Sequence, residues 1–65
     1  MCKNTVEVYD SDLDEWWIDA RFTCQGDAWT WGDRLRGLGM QVRVTQVYGK
    51  YRKTTELHPL SEASA

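Results

Sequence analysis

Five carboxylates, Asp10, Asp12, Asp14, Glu15 and Asp19, crowd into one short stretch of this 65-residue chain with no Lys or Arg among them. Carboxylates at that density can hold a metal cation, exchange a proton as an acid–base pair, or present negative charge to a cationic surface. The alternating spacing of Asp10, Asp12 and Asp14 opens like an EF-hand calcium loop, which needs a Gly at its sixth position and a bidentate Glu at its twelfth. Glu15 and Arg21 stand at those places, so the loop lacks both its tight turn and its strongest ligand. An irregular, weak cation site is all that metal chemistry retains, and no metal or cofactor is expected. Acid–base catalysis fares no better, because no spacing singles out a pair and a domain this small has little room for a substrate pocket. The lone His58 precedes a proline near the end of the chain, far from any orienting acid in sequence. Cys2, Cys24 and one His fall short of a zinc site. Gly32, Gly37 and Gly39 do not follow the spacing of a phosphate loop. The chain is expected not to be an enzyme.

The third chemistry fits the charge pattern. Residues 1 to 33 carry eight acids against two bases, and residues 34 to 65 carry two acids against six bases. A dense anionic patch attracts cationic surfaces, commonly the nucleic-acid sites of other proteins. Trp17 lies among these acids and alternates away from the apolar side of its strand, a pattern suited to an interface anchor. Carboxylates two residues apart on a strand are ~6.7 Å apart, close to two steps of the ~3.4 Å rise per phosphate of one DNA strand. The plain alternative is a solvated polar turn. A second patch, Lys50, Tyr51, Arg52 and Lys53, interleaves bases with an aromatic ring and is the candidate for direct nucleic-acid binding. The acidic pI of about 5.1 argues against it. An edge strand charged against aggregation explains the same residues. A third class of partner is a second copy, with the acidic hairpin of one chain meeting the basic hairpin of the next.

The elements that must position these residues can be read from periodicity. Thr5 to Tyr9 alternates as a half-buried strand, and Asp10 to Asp14 reads as a turn whose Asp and Ser side chains bond nearby amides. Trp16, Ile18, Ala20, Phe22 and Cys24 form an apolar face with Trp17, Asp19, Arg21 and Thr23 opposite, so the two strands make an antiparallel hairpin. Asp27 is placed to cap a helix of about three turns, with Ala28, Trp31, Leu35 and Leu38 as its apolar stripe. Gly32 weakens it by ~1 kcal/mol relative to Ala, and Gly39 ends it. Trp29 falls off the stripe, at the rim of a thin core or on the surface. Met40 to Val47 is a strand with Met40, Val42 and Val44 inward; its alternation slips at Gln46-Val47, which suits a bulge or an approaching turn. Tyr48-Gly49 is then a turn into a fourth strand, Lys50 to Glu56. The expected fold is α+β: a four-stranded antiparallel sheet in the order β-β-α-β-β, one helix on one face, a single domain over residues 1–57 and a flexible tail over 58–65.

Four Trp, three Tyr and one Phe supply the burial that so short a chain needs to fold unaided. There is no apolar run of 18 residues and no basic start leading into an apolar stretch, so neither a membrane span nor a secretory signal is expected. A cytoplasmic setting would keep Cys2 and Cys24 as free thiols rather than a bridge. With its small size and its acidic hairpin Asp10-Ser11-Asp12-Leu13-Asp14-Glu15-Trp16-Trp17, the chain resembles the small phage-encoded inhibitors of the anti-CRISPR kind that act on type I effector complexes. The resemblance is one of overall character. It implies an inhibitor that presents carboxylates where phosphates would sit on an effector subunit, in the cytoplasm of the host cell. The basic second half departs from a fully acidic mimic.

Overall fold

The computed structural model of the chain describes residues 2 to 59. It contains strands β1 (Cys2–Asp10) and β2 (Glu15–Phe22), helix α1 (Gln25–Gly37), and strands β3 (Val42–Tyr48) and β4 (Tyr51–Leu57). The sheet is antiparallel throughout in the order β2-β1-β3-β4, so the two hairpins meet along β1 and β3 and the helix connecting them lies on one face. The α+β architecture is the one the periodicities predict. His58 and Pro59 lie outside regular structure, and the remainder of the expected tail, residues 60 to 65, is outside the described residues.

The centre of the covered face is aliphatic, with Asn4 and Gln46 buried toward one end of it. Val6, Val42 and Val44 on the central strands are fully buried against Ala28 and Leu35 of the helix, with Val8, Phe22, Trp29, Trp31 and Leu57 packed around them. Gly32, which costs the helix propensity, sits at the closest approach of helix to sheet: a Cβ there would lie 3.0 Å from Leu57 Cδ1 and 3.4 Å from Val44 Cγ2. The helix starts two residues before the expected cap. Cys24 is the N-cap and makes no side-chain capping bond, while Asp27 lies in the first turn, where its charge still suits the dipole. Tyr48 Oη donates to Gln25 Oε1 at 3.0 Å and pins this end of the helix to the β3–β4 hairpin. At the other end, Gly39 N–H bonds Arg36 O and Met40 N–H bonds Leu35 O, with Gly39 at φ +91, which together make a Schellman cap. That cap turns the chain away after Gly37, so Leu38 is 71% exposed instead of completing the stripe. Met40, expected inward, is also exposed.

Two further corrections concern register. Cys24 is not in β2, which ends at Phe22, and it is a free, exposed thiol. The side chain of Cys2, the other candidate for a bridge, is outside what the structure describes. The bulge falls in β2, while β3 pairs with both neighbours without interruption and its polar Gln46 simply turns inward as the strand nears its turn. Between Val6 and Glu7 of β1 the partner on β2 jumps from Ala20 to Ile18, leaving Asp19 unopposed. The extra residue inverts the alternation. Ala20 and Phe22 share the covered face with Val6 and Asn4, whereas Ile18 and Trp16 share the open face with Glu7 and Tyr9. The apolar stripe expected along β2 is thus divided between the two sides of the sheet, and Trp17 is the one that pairs with Val8 on the helix side.

Candidate functional site: the acidic tip and the open sheet face

The β1–β2 turn is built by the acids themselves. Asp10 Oδ1 accepts from the amides of Asp12, at 3.0 Å, and Leu13, at 3.4 Å, an Asx turn at the head of the loop. Asp14 takes φ +53, a left-handed conformation that Asp tolerates better than most residues, and its carboxylate accepts from Tyr9 Oη. That hydrogen bond, followed by partial burial and the charges of Asp14 and Asp10, raises the Tyr9 phenol above its ordinary 10.0. Asp12 and Glu15 are exposed and make no side-chain hydrogen bond among the described residues. Leu13, at 57%, and Trp17, at 52%, add exposed apolar surface. Asp19 stands apart at the bulge, where it accepts from Trp31 Nε1 at 2.6 Å. Of the six residues the sequence assigns to a partner site, Asp10, Asp12, Asp14, Glu15 and Trp17 therefore gather at one end, and Asp19 serves the contact between β2 and the helix.

The basic candidates lie at the other end. Because β1 and β3 run antiparallel with Val8 opposite Val42 and Cys2 opposite Tyr48, the two hairpins turn at opposite ends of a molecule 40 Å long. Tyr48 pairs with Tyr51 across Gly49-Lys50, and the positive φ of Gly49 alone, +56, is that of a type II′ turn. Alternation along β4 then sends Arg52 to the open face and Tyr51 and Lys53 to the helix side, with Lys50 in the turn. These four residues do not form one patch.

The open face carries side chains whose convergence the sequence conceals. Registers across the sheet arrange them in rows: Trp16 and Tyr9; then Ile18, Glu7, Arg43 and Glu56; then Arg21, Thr5, Thr45 and Thr54; then Lys3, Val47 and Arg52. In the first two rows Arg43 lies over the Trp16 ring at 4.3 Å, Tyr9 packs on the same ring at 5.3 Å, and Arg43 Nε donates to Glu7 Oε1 at 2.7 Å. Thr45 Oγ1 donates to the same carboxylate at 3.2 Å and meets Thr54 Oγ1 at 3.2 Å. Only the opposition of Glu7 and Arg43 across two pairing strands could have signalled this network, and without the register it cannot be read. Between tip and face, Asp14, Glu15, Trp16, Trp17 and Arg43 line an open depression of about 410 Å³. A second, of about 390 Å³, lies between α1 and β4 beside Trp29 and Leu57.

Among the described residues no group of three or more His, Cys, Asp or Glu side chains is placed to hold a metal ion. No helix among them is long and apolar enough to cross a membrane. Comparisons with protein-family models, with curated proteins and with solved structures found no match to the chain.

Proposed function

We propose that this chain is a non-enzymatic binding protein of the cytoplasm whose acidic β1–β2 tip occupies the basic, nucleic-acid-binding surface of another protein in place of the DNA backbone. One observation supports the reading above the others: the carboxylates of Asp10 and Asp14 hold the turn together, while among the described residues no Lys or Arg forms an ion pair with any acid of the tip. A turn fixed by Asp10 and Asp14 sets the backbone that carries Asp12 and Glu15, so a contact has to order only their side chains. Leu13 and Trp17 supply the apolar anchors that a purely electrostatic contact lacks. A nucleic-acid-binding subunit of a type I CRISPR effector, the target suggested by the sequence resemblance, is one surface of this kind.

Asp12→Lys with Glu15→Lys tests the reading, since neither side chain holds the turn. Tagged protein is used to capture partners from a nuclease-treated lysate of the source cells, and the retained protein is challenged with DNA and with salt. The expected result is a nucleic-acid-binding protein displaced by DNA and lost in the double variant, with circular dichroism unchanged. Retention by the double variant, or no displacement by DNA, overturns the mimic. A second reading rests on the opposed ends, which would let the acidic tip of one copy meet the Lys50 turn of the next; light scattering at low and high salt tests it, a salt-dissociated oligomer supporting it and a monomer throughout excluding it.

A further inference from the structure

Lys3, Arg21 and Arg52 come from three strands and from both halves of the sequence, yet the sheet places them around one surface. Arg21, Thr5, Thr45 and Thr54 form one continuous cross-strand row, and Lys3, Val47 and Arg52 form the next. There is no carboxylate in either row. All three cations are exposed and none has an ion-pair partner among the described residues. The helix covers the opposite face, so nothing among the described elements lies over these rows. Although the chain is acidic overall, the open face carries four cations, Lys3, Arg21, Arg43 and Arg52, against Glu7 and Glu56, and Glu7 is already neutralised by Arg43.

We infer that this half of the open face binds the sugar–phosphate backbone of single-stranded nucleic acid, with the Arg43–Trp16 stack on the same face as the platform for bases. Three unpaired cations suit phosphate oxygens, since each releases a counterion on contact, and Thr5, the one threonine of the row outside the Glu7–Thr45–Thr54 hydrogen bonds, adds a hydroxyl donor among them. A β-sheet face is flat enough for splayed nucleotides, which stack on aromatic rings or on guanidinium planes. Arg43 offers such a plane, held in position by Glu7 and by the Trp16 ring beneath it. An acidic protein segment would satisfy the cations but would leave the stacked guanidinium and ring without a use. The stack adjoins the acidic tip, but Lys3, Arg21 and Arg52 lie off it and none of the tip carboxylates is used, so the inference does not depend on the function proposed above.

The test is fluorescence anisotropy of labelled 12-nucleotide oligo-dT and oligo-U at low salt, followed by a salt series. The wild-type chain is expected to bind with a log–log salt slope of about −2, as three released counterions on a single strand require. Lys3→Gln, Arg21→Gln and Arg52→Gln together should weaken binding at least tenfold and flatten the slope, with circular dichroism unchanged because all three side chains are exposed. Binding should also quench tryptophan fluorescence, and the quench should shrink in Trp16→Phe, which keeps Trp17, Trp29 and Trp31. The tip variant Asp12→Lys with Glu15→Lys should bind at least as well as wild type, which separates this outcome from failure of the mimic. Absence of saturable binding overturns the inference. So does competition by poly-glutamate at the same charge concentration, or an equal loss in Lys50→Gln with Lys53→Gln, whose side chains lie off this face.

Discussion

The two faces of the sheet use the same strands for opposite purposes. On the covered side, Val6, Val42 and Val44 are buried with Ala28 and Leu35, and Gly32 lets the helix come down onto Val44 and Leu57. On the open side, Glu7, Arg43, Thr45 and Thr54 face away from the helix and make a hydrogen-bonded lattice that ties β1, β3 and β4 together through directional contacts. Aliphatic packing is non-directional and proportional to the area removed from water, whereas a polar lattice contributes modestly per bond but fixes register and side-chain position. One face therefore supplies stability and the other supplies an ordered, charged surface. The β2 bulge is what moves Trp16 and Ile18 from the first role to the second.

The contrast predicts unequal responses to substitution. The largest effect belongs to Gly32→Val, which forces branched atoms into Leu57 and Val44 and should cost about 2 to 3 kcal/mol, lowering Tm by roughly 10 to 20 °C in a domain of this size. Gly32→Ala should fall near neutral, because ~1 kcal/mol of helix propensity offsets a contact that the flexible end of Leu57 can relieve. Thermal unfolding of both variants sets the tolerance of the covered face. The open face should give less: Arg43→Met leaves Glu7 facing an apolar neighbour and should cost about 1 to 2 kcal/mol in urea unfolding, Glu7→Gln should cost less, and the double variant should recover part of the loss. Equal losses on the two faces would erase the distinction between packing and lattice.

Most of the architecture is legible in the sequence because alternation at Val6 and Val8, at Val42 and Val44, and the Ala28–Leu35 spacing each report burial locally. The acidic tip is legible for the same reason, since Asp10 acts on amides only two and three residues away. What escapes is set by register, which no local pattern encodes. Trp16, Ile18, Ala20 and Phe22 alternate without a break in sequence, yet one unopposed residue divides them, because Asp19 gains a bond to Trp31 and aromatic bulk finds a place on either side. The row joining Arg21 to Thr5, Thr45 and Thr54 exists only once that bulge is counted. Gly32 reads as a helix defect until the sheet is placed against it.

The smallest expected effect probes the seam between tip and open face. Tyr9 belongs to the aromatic pair with Trp16, and its hydroxyl donates to Asp14 in the turn. The folded chain holds that proton above the ordinary phenol value of 10.0 because the neighbouring carboxylate accepts from the neutral form and repels the anion. Protonation therefore favours the fold: the contribution is complete below pH ~10 and disappears as the pH climbs through the raised value. Ultraviolet titration, with Tyr9→Phe as the blank, should find Tyr9 ionising above the ordinary phenol value. Asp14→Asn, which tolerates the same left-handed backbone, should return it toward the ordinary phenol value by removing the charge while keeping an acceptor. Should Tyr9 ionise at the ordinary phenol value in the wild-type chain, the tip would not be coupled to the open face through it. Its carboxylates would then be ordered by the Asx turn of Asp10 alone, and an interface using both surfaces would have to order Asp14 on contact.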